Sequence, residues 1–218
     1  MSKGTIVALV VAGLICLILA PIFSHVFGFI GLVLIVAGLY FGFGPDGILK
    51  KGQVKETWGT MIEKAHGKAE DVFNDSEFFI NDSKVPNLSM ARKSMTPGIV
   101  TGLIGKSRDF LTIRDHGNYR LQPYQIYVNA RDYGENLVVS WHLLYKPTLL
   151  QSLLLLLPYV NVIPATLADL DLFDESDLRS YLTNIDNCVF KAVEKTAQGL
   201  GQDTSKINRK SKGFLGIS

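Results

Sequence analysis

Apolar positions are spread unevenly along this chain. Residues 5–23 (TIVALVVAGLICLILAPIF) and 26–44 (VFGFIGLVLIVAGLYFGFG) hold no Lys, Arg, Asp or Glu, and only Ser24 and His25 stand between them. Each is close to the roughly 20 apolar residues that cross the hydrocarbon core of a bilayer. The pattern predicts a transmembrane helical hairpin over residues 1–47. Lys3 precedes the pair, and Lys50, Lys51 and Lys55 follow it. Basic flanks stay cytoplasmic, so the expectation is an integral membrane protein with both termini and the soluble domain in the cytoplasm. Gly13, Gly28, Gly31, Gly38 and Gly42 suit close approach of helices, within one hairpin or between several.

Past Asp46 charge becomes ordinary, and the pattern predicts one α+β domain over residues 48–201: a small antiparallel sheet packed by helices. Val54, Trp58, Met61, Ile62, Ala65, Ala69, Val72 and Phe73 recur at helical spacing and predict a helix over 50–73. Asn, Asp and Ser punctuate 74–89, where a short strand near Glu77–Ile80 fits. TPGIVTGLIGKS (96–107) comes near a phosphate-binding loop but lacks its first glycine. Three strands are expected at 108–115, 119–131 and 136–146. With Arg131 opposite Asn136, Val128 meets Val139, Ile126 meets Trp141 and Tyr124 meets Leu143. Every such pair is apolar or aromatic, which specifies one face.

Residues 148–168 (TLLQSLLLLLPYVNVIPATLA) form a third apolar run, broken by Pro158 and Pro164. The expectation is a segment that does not span but packs under the sheet or docks at a membrane surface. A long helix follows, capped by Asp174 or Ser176. Leu178, Leu182, Ile185, Val189 and Ala192 line its apolar stripe, and Gly199 or Gly201 ends it. Residues 202–218 read as a basic and apolar tail.

The chemistry is sparse. Among 218 residues with a net charge of +2, the two cysteines, Cys16 and Cys188, lie far apart, so there is no disulfide framework. Cys188 sits on the apolar stripe and reads as a buried structural thiol. His25, His66, His116 and His142 fall on different elements with no metal-ligand spacing, and neither metal nor cofactor is expected. The predicted helix–three-strand–helix order resembles that of double-stranded-RNA-binding domains. It does so in element order alone: residues 174–182 lack the basic helix start that grips phosphates, and no nucleic-acid partner is expected.

Two candidate surfaces remain. Gln125, Tyr127, Arg131, Ser140 and His142 share the polar face of the predicted hairpin, which is also the face an antiparallel sheet turns to water. Lys206, Arg209, Lys210 and Lys212 in the tail suit anionic lipid. The expected function is a membrane-anchored interaction or scaffold module without catalytic activity, whose partner is a protein or a second copy of the chain. Two alternatives stand beside it. One is a lipid-contacting accessory protein using 148–168 and the basic tail, with membrane lipids as partner. The other is an enzyme on a membrane-associated substrate, using the His142 face.

Overall fold

The computed structural model describes residues 11–16, 28, 30–35, 51–95, 107–146 and 170–216. It divides into two compact units, Met1–Leu49 and Lys50–Ser218. In the first, residues 11–16 and 30–35 are helical. A Cβ on Gly13 would lie 2.7 Å from the Gly31 carbonyl oxygen and from Ile35 Cγ1, so this glycine lets two helical segments touch backbone to backbone.

The expectation of an integral membrane protein, with cytoplasmic termini and domain, is corrected here. Among the described residues no helix is long and apolar enough to cross a membrane. The expected spans, 5–23 and 26–44, fall mostly outside the described residues. So do the apolar run 148–168 and the glycine-spaced segment 96–106.

The second unit runs β1 (Val54–Ile62), α1 (Ala69–Asp82), β2 (Leu88–Met95), β3 (Arg108–Asp115), β4 (Tyr124–Tyr133), β5 (Asn136–Tyr145), α2 (Leu172–Gly199) and β6 (Lys212–Gly213). Its strands form one six-stranded sheet in the order β2-β3-β4-β5-β1-β6, antiparallel at every pairing. The fold class is α+β.

Of the helix expected over 50–73, residues 54–62 are instead a strand and 63–68 a turn region, and only 69–73 are helical. Val54, Trp58 and Ile62 are four residues apart, a spacing that fits one helical turn and equally two strand repeats. The β-branched Val54, Thr57, Thr60 and Ile62 decide for the strand. The helix comes later, at Ala69–Asp82, where a short strand was expected. Val72, Phe73, Ser76 and Ile80 form its buried side, and most of its Asn and Asp residues lie toward solvent. The chain therefore enters the sheet as a strand, and the element order of double-stranded-RNA-binding domains is absent.

β4 and β5 pair with the expected faces but two residues out of the expected register. Val128 meets Trp141, Ile126 meets Leu143, and Tyr133 meets Asn136. The loop is Gly134-Glu135, with Gly134 at φ +64°, a left-handed conformation that two-residue hairpin loops demand and glycine supplies freely. The turn after β1 pins it. Lys64 N–H donates to Asn136 Oδ1 at 3.1 Å, Gly67 N–H to Asp132 Oδ1 at 3.0 Å, and His66 N–H to the Glu135 carbonyl at 3.1 Å.

One face of the sheet carries the core. Trp58, Leu111, Ile113, Ile126, Val128 and Trp141 pack there with Val72 and Phe73 of α1 and with Leu178, Leu182, Ile185 and Val189 of α2. Polar tips find partners: Trp141 Nε1 donates to Asp186 Oδ1 at 2.7 Å and Tyr181 Oη to the Ile113 carbonyl at 2.9 Å. Cys188 is buried in this core. The N-cap of α2 is Asp171, whose side chain accepts from Phe173 and Asp174 N–H, one turn before the expected position. Asp174 pairs with Arg120 at 2.8 Å and accepts from Asn118.

Residues 203–216, expected as a tail, run back over the domain as a strap. Trp58 Nε1 donates to the Asn208 carbonyl at 2.7 Å. The Arg209 guanidinium lies 3.9 Å from the Phe190 ring centroid and pairs with Glu194 at 3.0 Å. Lys212 and Gly213 pair with Thr57 and Glu56 of β1, and Leu215 is buried. The carboxylate of Glu56, fully buried, accepts from Ser211 Oγ and from Leu215 N–H at 2.9 Å.

Candidate functional site

The second face of the sheet is built from the alternate residues of the same strands. One transverse row crosses all six: Ala91, Thr112, Tyr127, His142, Thr57 and Lys212 are successive cross-strand partners. A parallel row holds Asn129, Ser140 and Gly59. A third holds Arg131, Val138 and Met61. Period-2 alternation places all of these side chains opposite the core.

This face has two halves. Over β3, β4 and the end of β5, Phe110, Thr112, Gln125, Tyr127, Asn129, Leu144 and Lys146 are buried. They make a polar chain: Lys146 Nζ donates to Tyr127 Oη at 2.7 Å, and Tyr127 Oη donates to Gln125 Oε1 at 2.7 Å. Phe110 stands edge-on to the Tyr127 ring at 6.2 Å. Over β5, β1 and β6 the face is open. Thr57, Val138, Ser140 and His142 are half-buried, and Gly59, Met61 and Lys212 are exposed. Gly59 carries no side chain beside Ser140, whose Cβ stands 3.2 Å from where a Cβ on Gly59 would be. The middle of the open half is therefore a shallow depression.

His142 stands at its edge. Thr57 Oγ1 donates to the Trp141 carbonyl at 3.2 Å and lies 2.7 Å from His142 Nδ1. A hydroxyl has one proton and a carbonyl can only accept. Both contacts are satisfied when His142 Nδ1–H donates to Thr57, which leaves Nε2 as a lone-pair acceptor. Ser140 Oγ is 3.5 Å from Nε2, the outer limit of a hydrogen bond. Burial lowers the His142 pKa, so the ring is neutral at neutral pH. The site offers an oriented acceptor, a hydroxyl and a floor of small residues.

The structure brings together four of the five face residues expected from sequence: Gln125, Tyr127, Ser140 and His142. Gln125 and Tyr127 lie in the covered half, behind the depression. Arg131 sits two rows away, its guanidinium 5.6 Å from the Tyr133 ring centroid. Thr57, Gly59 and Lys146 were missed. The first two follow once 54–62 is read as a strand, since they alternate with Trp58; Lys146 carries no such signal. The four tail cations do not act as one group. Arg209 is committed to Phe190 and Glu194, while Lys206, Lys210 and Lys212 are exposed.

No family model matches the chain, and neither a curated protein nor a solved structure matches it. Among the described residues, no cluster of His, Cys, Asp and Glu is arranged to hold a metal ion.

Proposed function

We propose that this chain is a non-catalytic interaction module that receives a protein partner, or a second copy of itself, on the open half of the second sheet face. The observation that carries the reading is the His142 arrangement: a neutral imidazole held by Thr57, with its Nε2 acceptor turned beside Ser140 over a floor left by Gly59. Among the described residues Thr57, not a carboxylate, orients this imidazole. That suits a fixed acceptor better than a general base, whose imidazolium a carboxylate would stabilise. Photo-crosslinking residues placed at Met61 and Ser140 in the native cell test it. One discrete adduct from both positions and none from the exposed Lys84 is expected. No adduct from either face position overturns the reading.

A second reading, contact with a lipid surface, rests on the exposed Lys206, Lys210 and Lys212 with the half-exposed Phe214 beside them on the strap. Basic residues with an aromatic anchor are the chemistry of anionic interfaces.

A further inference from the structure

Resting on the face reading above, we infer that the partner is an acidic protein segment in extended form, with carboxylates about five or six residues apart and an apolar side chain between them. Among the strand residues that pair across the open half and its β4 border, two are charged, Arg131 on β4 and Lys212 on β6, and both are cations. Neither makes an ion pair there: Arg131 contacts the Tyr133 ring, and Lys212 is exposed on β6.

They stand at diagonal ends of the face. Arg131 lies four residues along β4 from Tyr127, whose row ends at Lys212 three strands away. With about 3.3 Å per residue along a strand and 4.8 Å between strands, the diagonal is roughly 20 Å. An extended chain covers that distance in about six residues. Between the cations the side chains are uncharged. Met61 and Val138 are cross-strand neighbours and offer apolar contact, while Ser140 and His142 Nε2 offer hydrogen bonds.

Complementary charge at the rim mainly sets specificity and association rate, with an uncharged centre supplying contact. A flat anionic bilayer fits less well. It would meet the cations Arg131 and Lys212 without following the uncharged floor at Gly59 and Ser140 between them.

The test uses the full chain in a mild nonionic detergent and a labelled hexapeptide, Glu-Ser-Gly-Leu-Ser-Glu, followed by fluorescence anisotropy. Binding that weakens with salt is expected, with no binding by the peptide carrying Lys at both ends. Arg131→Glu with Lys212→Glu should weaken it roughly tenfold or more, and Lys84→Glu, exposed between α1 and β2, should leave it unchanged. Intrinsic tryptophan emission from the buried Trp58 and Trp141 checks that each variant is folded. Failure of the acidic peptide to bind overturns the inference. So does a double reversal that leaves affinity unchanged. If Ser140→Tyr still abolishes binding in that case, the face reading survives alone; if Ser140→Tyr also has no effect, both fall. Displacement of the peptide by mixed micelles of that detergent with phosphatidylserine, but not with phosphatidylcholine, makes lipid the occupant and overturns the inference in favour of the second reading.

Discussion

The two faces of one sheet are made from alternate residues of the same strands, yet they do different work. On the core face, Leu111, Val128, Trp141 and Trp58 make an apolar and aromatic row that packs with α1 and α2. On the opposite face, the central row is Thr112, Tyr127, His142, Thr57 and Lys212. Neighbouring residues of β5 therefore belong to different environments: Trp141 is fully buried among apolar side chains, while Ser140 and His142 border solvent. The densest apolar packing sits on one side of the sheet, and the half-exposed Thr57, Ser140 and His142 sit on the other.

The largest expected effect attacks the core face. Trp141→Ala removes a large buried ring and leaves Asp186 without its indole donor, and it should cost about 3–5 kcal/mol in urea unfolding. A cost below about 1 kcal/mol would place Trp141 outside the core.

Glu56→Ala comes next. Leu215 N–H and Ser211 Oγ lose their buried acceptor, at a cost of about 1–3 kcal/mol. Hydrogen exchange should speed up across residues 208–215 while β4 and β5 stay protected. Uniform exchange through the domain would show that the strap is not a separable layer.

A smaller effect separates the faces by pH. The folded pKa of His142 lies below its ordinary 6.5 because burial disfavours the imidazolium. Below that pH the unfolded chain takes up a proton that the folded chain refuses, so stability falls as pH drops through this window and levels off below the folded pKa. His142→Gln should remove that part of the slope. Chemical denaturation at a series of pH values reads it, and an unchanged slope would mean the ring titrates normally. The smallest effect is on the open half itself: Ser140→Ala and Met61→Ser should each change stability by no more than about 0.5 kcal/mol.

The sequence revealed this division where period-2 alternation was strong. β4 and β5 showed their faces correctly, and with them Gln125, Tyr127, Ser140 and His142. The register was less legible, because apolar pairs two residues apart look alike and Gly134 alone selects the loop. β1 was hidden by residues that repeat every four positions, which suits both periods, and Thr57 and Gly59 were lost with it. α1 was hidden by its Asn and Asp residues, which often mark turns. The strap had no periodicity to read. Its order comes from contacts with distant residues, such as Glu56 and Phe190, that a linear pattern does not display.

The contact between Glu56 and Leu215 joins residues 159 positions apart, and this has a consequence for biosynthesis. A ribosome adding about 5–20 residues per second makes Leu215 roughly 8–30 s after Glu56. Throughout that interval the outer edge of β1 lacks its pairing with β6, and the carboxylate of Glu56 lacks its final donors. A nascent chain with an unpaired edge invites pairing with its neighbours on the same message. The strap thus makes residues synthesised long after β1 the ones that close its outer edge, and translation speed becomes a variable in the yield of native protein.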